Sequence, residues 1–406
     1  MHGPIVAIDV SKGCSHLLCF KDFNQKYGRV FKFNHDVEGF KFLLERINIL
    51  KEVTNEEVKV VYEATGIYTK ALTRFLDKNN IEQYIISPLK SAKQRKTEIH
   101  AKKTDTLDPI SIADVYYLDK NKLRAYEKEE DIYHILRCLN RNYVDQKAHL
   151  VKYKVTFQNY LEIVFPLYDG LFKDTYCDIS LCLLLKYPHP DMIKHKKPET
   201  IAKYLYKHTN HYYEYCLKKA KQAITLANKT YPGCDKDDIE VIELIRITKM
   251  MIECINECDS LLEELIKLAK SIPNFEVLKS IPGIGENLAA RILSEIGDIN
   301  QYESYKNLIS YTGVDPNING SGQIDGKHLS ITKKGNKYLR TLLFLAVTCA
   351  LRIKDDNPIK DFYKKKKQQS NPLTSKAAKV ACMNKLLRII YAMSTNGTMY
   401  QYVVVH

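Results

Sequence analysis

Between Pro4 and Asp119, short apolar runs that end in carboxylates alternate with stretches of helical spacing, which restricts the first third of the chain to an α/β layer. Pro4 to Asp9 is the first such run. His16 to Phe20 and Arg29 to Phe33 follow at hairpin spacing, with Gly13 and Gly28 available for turns, so a three-stranded meander is expected. Phe40, Leu43, Leu44 and Ile47 then recur at helical spacing within Val37 to Leu50. A β-branched run from Val58 to Tyr62 ends in a second acid, Glu63, and a helical stretch from Tyr68 to Leu76 precedes the strand Gln83 to Ile86. The expected order is βββαβαβα.

That order resembles the ribonuclease H-like fold, and the acids give it a chemistry. If the first and fourth strands lie side by side and parallel, Asp9 and Glu63 emerge together at their C-terminal ends. Like charges so close repel unless a cation lies between them. Magnesium suits oxygen ligands, and a pair of ions about 4 Å apart activates a nucleophile and steadies a leaving oxygen in phosphoryl transfer. Asp105 and Asp108 add two acids at a spacing that shares one helical face, although Pro109 places Asp108 near an N-cap and Asp105 in the turn before it. Taken singly, each acid reads more readily as surface or capping, since exposed acids are the norm; it is the four in this order that point to a site.

Composition bears on what such a site would meet. At 406 residues the chain exceeds what one core usually serves, so two or three domains are expected. The 62 Lys and Arg against 48 Asp and Glu give a formal charge of +14, which favours a polyanionic partner, because each phosphate neutralised releases condensed counterions. A basic stretch, Lys90, Lys93, Arg95, Lys96, Lys102 and Lys103 with only Glu98 opposing, precedes the last two acids and reads either as a solvated loop or as a clamp on a nucleic-acid backbone. A membrane is the rival partner. The longest apolar stretch, Leu342 to Leu351, is about half the ~20 residues needed to span a bilayer, so no membrane association is expected. Met1 to Val10 carries no export pattern, and eleven scattered cysteines fit a reducing cytosol.

In the middle, Ile132, Ile135, Leu139, Tyr143, Gln146, Leu150, Tyr153, Phe157, Tyr160 and Val164 recur at spacings of three and four until Pro166. A second long helix from Asp237 to about Lys270 carries Leu244, Ile247, Met251, Cys254, Cys258, Leu261, Leu265 and Leu268 as a heptad seam, so its two cysteines read as core rather than metal ligands. The two helices are expected to pair antiparallel as a stalk or to associate between subunits. The insert at 166–235, with the basic cluster Lys194 to Lys197, lacks strong periodicity and has no assigned fold.

Farther on, Ser280-Ile281-Pro282-Gly283-Ile284-Gly285 before the helical run Asn287 to Ile296 looks like a helix-hairpin-helix, in which Gly283 and Gly285 would bring backbone N–H groups to a phosphate; a structural turn is the alternative. Gly320-Ser321-Gly322 lies in a polar stretch ahead of Ser330-Ile331-Thr332-Lys333-Lys334-Gly335, with Lys337 and Arg340 adding cations for phosphate oxygens. Flanking glycines would open Ser321 to a phosphorus atom, yet a serine so placed is ordinarily a turn residue. Ser330 is the reserve nucleophile. Lys364 to Lys367 in the tail extend the basic surface.

The combination decides between these alternatives. Ile8-Asp9-Val10-Ser11-Lys12, Glu63-Ala64-Thr65-Gly66-Ile67-Tyr68, Lys103-Thr104-Asp105-Thr106-Leu107-Asp108, Ile281-Pro282-Gly283-Ile284-Gly285, and Ser321-Gly322 ahead of Ile331-Thr332-Lys333-Lys334-Gly335-Asn336 occur in the order of the DEDD transposases. Over residues 4–119 and 272–395 the chain resembles the IS110 insertion-sequence family, the bridge-RNA-guided recombinases. The resemblance implies an α/β plus α protein: a RuvC-like (RNase H-like) DEDD domain at 1–125, a coiled-coil region at 126–271 and a mainly helical C-terminal transposase domain at 272–406. It assigns Asp9, Glu63, Asp105 and Asp108 as the magnesium-binding carboxylates and Ser321 as the nucleophile. It further implies donor and target DNA, a noncoding guide RNA, and a dimer or tetramer whose subunits share active sites, working on the nucleoid in a prokaryotic cytoplasm. Pro109 and the insert depart from the family's pattern. A junction resolvase with the same carboxylates but water as nucleophile is the alternative expectation.

Overall fold

The computed structural model describes residues 3–86, 108–119, 123, 125, 126, 131–316 and 331–401. The chain divides into two compact units, Met1–Glu129 and Glu130–His406.

Unit 1 is built on one five-stranded sheet. Strands β1 (Ile5–Val10), β2 (Cys14–Asp22) and β3 (Gln25–Asn34) form the meander, followed by α1 (Val37–Thr54), β4 (Lys59–Glu63), a 3-10 turn at Gly66–Thr69, α2 (Lys70–Lys78), β5 (Gln83–Ile86) and α3 (Asp108–Asp119). The strand order is β3-β2-β1-β4-β5, with β4 parallel to both β1 and β5. Alternation along the strands divides their side chains between two layers. Val6, Ile8, Val60 and Tyr62 pack with Leu43, Ile47 and Leu50 of α1 and Leu72 and Leu76 of α2. Ile5, Ala7, Leu18, Phe20 and Val61 pack instead with Ile112, Ala113, Tyr116 and Tyr117 of α3.

One local expectation is corrected. Gly28 forms no turn; it lies inside β3 at φ +82, where the register jumps from Leu17↔Phe31 to Cys19↔Tyr27. The hairpin turn falls earlier, at Asn24, which adopts φ +57, a left-handed conformation that asparagine tolerates.

Unit 2 is helical throughout its described elements. Two long helices, α4 (Asp131–Val164) and α9 (Ile239–Ala269), pack along their length. They run antiparallel: Tyr133 and Leu136 at the start of α4 share a core with Leu265 and Ala269 at the end of α9, while the Cys254 thiol contacts the Gln146 carbonyl at 3.3 Å midway. The α9 seam buries Leu244, Ile247, Met251, Cys254, Cys258, Leu261 and Leu265, then Ala269 rather than Leu268. The two cysteines are therefore core residues.

The insert folds as α5 (Asp178–Lys186), α6 (Pro190–Ile193), α7 (Pro198–His208) and α8 (Tyr213–Lys229). They close over the half of the long pair where α4 ends and α9 begins, in one apolar core, where Ala220, Ala223 and Ala227 let α8 approach closely. Beyond α9 come α10 (Asn274–Lys279), α11 (Glu286–Ile296), α12 (Tyr305–Thr312), α13 (Lys337–Arg352), α14 (Pro358–Gln368) and α15 (Ser375–Asn396) around a second core. No described helix is long and apolar enough to cross a membrane.

At the start of α4 the buried stripe is Tyr133, Leu136 and Asn140, one residue out of phase with the expected Ile132, Ile135 and Leu139; Ile135 is 45% exposed. The reason is polar. Asn140 is buried because its amide donates to the Glu295 carboxylate at 2.8 Å and its carbonyl oxygen accepts from Arg291 Nε at 3.0 Å. Glu295 itself is 0% exposed, and Asn336 Nδ2 (2.8 Å) and Arg141 Nη2 (3.3 Å) also donate to it. Replacing Glu295 by Ala leaves these donors without their shared acceptor and is expected to lower the stability of unit 2 by about 3–5 kcal/mol, measured by urea unfolding of the full chain.

Candidate carboxylate centre and basic cleft

In unit 1, sheet register brings the first two acids together. Ile8 pairs with Tyr62 across the parallel β1–β4 ladder, so Asp9 and Glu63, each one residue farther along, are neighbours. Ala7 and Val61 face the α3 layer, so Asp9 and Glu63, two residues on, project from that same face. Asp108 heads α3, which packs on this face, and Pro109 falls in the first helical turn, where its missing N–H costs no hydrogen bond. The Tyr117 hydroxyl donates to the Gly3 carbonyl at 3.1 Å, which fixes the far end of α3 at the start of β1. The Asp108 end therefore points toward the C-terminal ends of β1 and β4. Asp108 is 8% exposed, and its place in the first turn sets its carboxylate in the favourable field of the helix N-terminus.

His16, which the sequence reading passed over, pairs directly with Asp9 across the antiparallel β1–β2 ladder. By strand alternation it shares the face of Asp9 and Glu63, since Leu18 faces α3 as Ala7 does. His16 Nδ1 and Thr65 Oγ1 are buried with no hydrogen-bond partner among the described residues. Carboxylate oxygens at a sheet end with under-satisfied polar atoms nearby fit a hard, partly hydrated divalent cation such as magnesium.

Among the described residues, three ligand atoms lie within 4.8 Å of one another only at Cys234, Asp238 and Glu240. There Asp238 already accepts from the Asp235 N–H at 2.7 Å, as a turn residue does. Asp9, Glu63 and Asp108 lie at one end of the sheet but do not form so close a group. Asp105 and the basic residues Lys93, Arg95, Lys96, Lys102 and Lys103 lie outside the described residues.

In unit 2, Ser321 and Ser330 also lie outside the described residues, but the segments that bracket them are closely joined. Pro316 and Ile331 form an antiparallel bridge, the Thr332 N–H donates to the Asp315 carbonyl, the Lys333 N–H to Gly313 and the Asn336 N–H to Tyr311. A Cβ on Gly335 would fall 2.3 Å from the Tyr311 carbonyl oxygen, so this clasp closes only around glycine. Lys333 takes φ +54 there. Arg340 Nη1 donates to the Thr312 carbonyl at 2.7 Å, which ties this guanidinium to the clasp.

Lys334 and Lys337 are exposed and line a cleft of about 500 Å³ together with Arg141, Tyr311, Asn336 and Tyr338. Beside it, a cavity of about 310 Å³ is lined by Asn140, Arg291, Lys337 and Tyr338, and burial pushes the Arg291 guanidinium below its ordinary pKa.

The two glycines of the 280–285 turn have different surroundings. Gly283, at φ +91, sits against α13, and a Cβ there would lie 2.5 Å from the Ala350 nitrogen. Gly285 is the N-cap of α11, with open space where a Cβ would be. Glu286 beside it pairs with Lys270 at 3.3 Å and Lys279 at 3.5 Å, and those cations hold its carboxyl below the usual range. The room for an N–H to approach a phosphate is thus at Gly285, whereas Gly283 serves the close approach of α13.

Residues 6–166 match the family model of the IS110-type DEDD transposases, described as transposase, and residues 275–364 match that of the transposase IS116/IS110/IS902 family. The chain belongs to this IS110 transposase family. It is 32% identical over 140 residues to the transposase for insertion sequence element IS1111A of Coxiella burnetii, covering 34% of this chain and 38% of that protein. It is 35% identical over 117 residues to the pilin gene-inverting protein of Moraxella bovis, 29% of this chain and 35% of that one. A 44.8 kDa protein of insertion element IS116 from Streptomyces clavuligerus is 21% identical over 298 residues, 72% of this chain and 71% of its own length. The chain thus spans little more than a third of the first of these relatives.

Gly283→Ala is expected to destabilise unit 2 by about 2–4 kcal/mol through strain and overpacking, and Gly285→Ala by less than about 1 kcal/mol. Chemical denaturation of the two variants tests the difference.

Proposed function

We propose that this chain is a DNA recombinase of the transposase kind, which cuts and rejoins strands at a centre made by Asp9, Glu63, Asp105 and Asp108 with Ser321 as nucleophile. The observation that carries the reading is the projection of Asp9 and Glu63 from adjacent parallel strands beneath the helix that Asp108 heads. The strand order β3-β2-β1-β4-β5, with β1 and β4 parallel, supports a ribonuclease H-like reading. The names of the relatives, transposase and gene-inverting protein, agree with strand exchange rather than simple degradation.

Magnesium ions held by the carboxylates would supply charge to stabilise the pentacoordinate phosphate and the leaving oxygen. Ser321 loses its hydroxyl proton and its Oγ attacks the scissile phosphorus; the O–P bond forms as the bond to the 3′ oxygen breaks, and that oxygen gains a proton. The phosphoester is kept as a serine–DNA bond. The 3′-hydroxyl of a second strand then attacks it and releases the serine, so rejoining needs no nucleotide cofactor. The long separation of Ser321 from the acids in sequence is met by subunits of a dimer or tetramer sharing sites. A noncoding RNA that pairs with donor and target DNA supplies the choice of sequence.

Asp9→Asn is expected to reduce magnesium-dependent cleavage at least about a thousandfold with DNA binding kept. Ser321→Ala is expected to abolish the denaturant-resistant protein–DNA adduct. A Ser321→Ala protein that still cuts to a protein-free product would identify water as nucleophile, as in a junction resolvase.

A further inference from the structure

We propose that the cleft between α4 and α13 in unit 2 binds a nucleotide of an unpaired phosphodiester strand, with Arg141, Lys334 and Lys337 as its phosphate contacts. The proposal rests on the nucleic-acid substrate of the reading above but not on its chemistry.

Three cations and two tyrosines line this cleft, and among the described residues no carboxylate does, although Asp145 lines the neighbouring cavity beside Lys337 and Tyr338. Arg141 is fixed from both sides. Its Nε and Nη2 reach the buried Glu295 carboxylate at 3.5 and 3.3 Å, and its guanidinium lies 5.0 Å from the centre of the Tyr338 ring. Its side chain nevertheless stays 45% exposed, so a plane of fixed orientation faces the cleft. A pre-set guanidinium loses little freedom on meeting a phosphate and offers a flat surface to a base.

Lys337 Nζ lies 5.0 Å over the same Tyr338 ring, which holds a second cation at the mouth. Lys334 stands opposite on the clasp, where the backbone contact of Gly313 and Gly335 fixes its Cα. Tyrosine rings beside cations form the kind of platform that binds single strands without regard to sequence.

Size argues for one unpaired nucleotide. The cleft, about 500 Å³ and open to solvent, has room for one base, and a duplex, whose bases face inward, cannot place a base in it. The cleft also adjoins the clasp that closes the ends of the 317–330 segment. A strand seated there would lie beside the Pro316–Ile331 bridge.

The test is binding of fluorescent single-stranded DNA and RNA of one sequence, and of the matching duplex, to the full chain across a salt series in EDTA. Without divalent ions, failure here leaves the carboxylate chemistry untouched. The double variant Lys334→Ala/Lys337→Ala removes two exposed side chains and is expected to weaken single-strand binding about tenfold near ~150 mM salt and to reduce the slope of log K against log salt by about 1.4. Arg141→Lys keeps the charge but loses the planar fork and, with urea unfolding run alongside to confirm that the variant is folded, is expected to weaken binding severalfold with little change in slope. A loss on DNA, RNA or both sustains the proposal, and the larger loss names the strand. It is overturned by an unchanged slope, by an equal loss on the duplex, or by an equal loss from the tail pair Lys364→Ala/Lys365→Ala.

Discussion

A carboxylate with no access to water organises unit 2. Glu295 lies on α11, is 0% exposed, and collects donors from α4 (Asn140, Arg141) and from the residue that opens α13 (Asn336). Burying a charge is costly unless it is paired and hydrogen-bonded, so each donor is required where it stands. Asn336 does two things at once: its amide donates to Glu295 while its carbonyl oxygen accepts from the N–H groups of Tyr338 and Leu339, capping α13. The same residue ends the clasp around 317–330. The long helical pair, the C-terminal helices and the base of the serine-bearing segment are therefore tied to one ion.

Unit 1 solves a different problem. Its acids are brought together by register rather than by a buried network. A slip of one residue in the β1–β4 ladder would turn Asp9 away from Glu63 and drive Ile8 out of its layer, so the apolar core that stabilises the sheet also specifies the site. The apolar layers that fix the register and the acids at the strand ends are separate groups, so the acids can be substituted without removing the packing that holds the sheet.

Much of this was legible in the sequence, for definable reasons. The inner strands β1 and β4 announced themselves because both their faces are covered, which makes them short continuous apolar runs, and because each run leads to an acid; β5 was read at its observed bounds. The α9 seam was legible because seven apolar residues repeat at heptad spacing. What stayed hidden was polar and nonlocal. Asn140 looks like a surface residue in any window of α4, and only Glu295, 155 residues away, makes it core. His16 had no signal of its own until its register opposite Asp9 was known. The insert was unreadable because α5 is buried over most of its surface and α8 packs through alanines, so neither shows a strong apolar stripe. The turn at Gly28 was misplaced because a glycine in a bulge and a glycine in a turn look alike in sequence.

The fit of Gly283 against α13 changes what its motif can be used for. That glycine is demanded by the packing of one backbone on another, with no room for a Cβ beside Ala350. A chain altered at Asp9, Glu63 and Asp108 would still need it to fold. Among relatives of this chain, a glycine at this position should therefore persist wherever the helical fold of unit 2 persists, so that it marks a shared architecture and carries no information about chemistry.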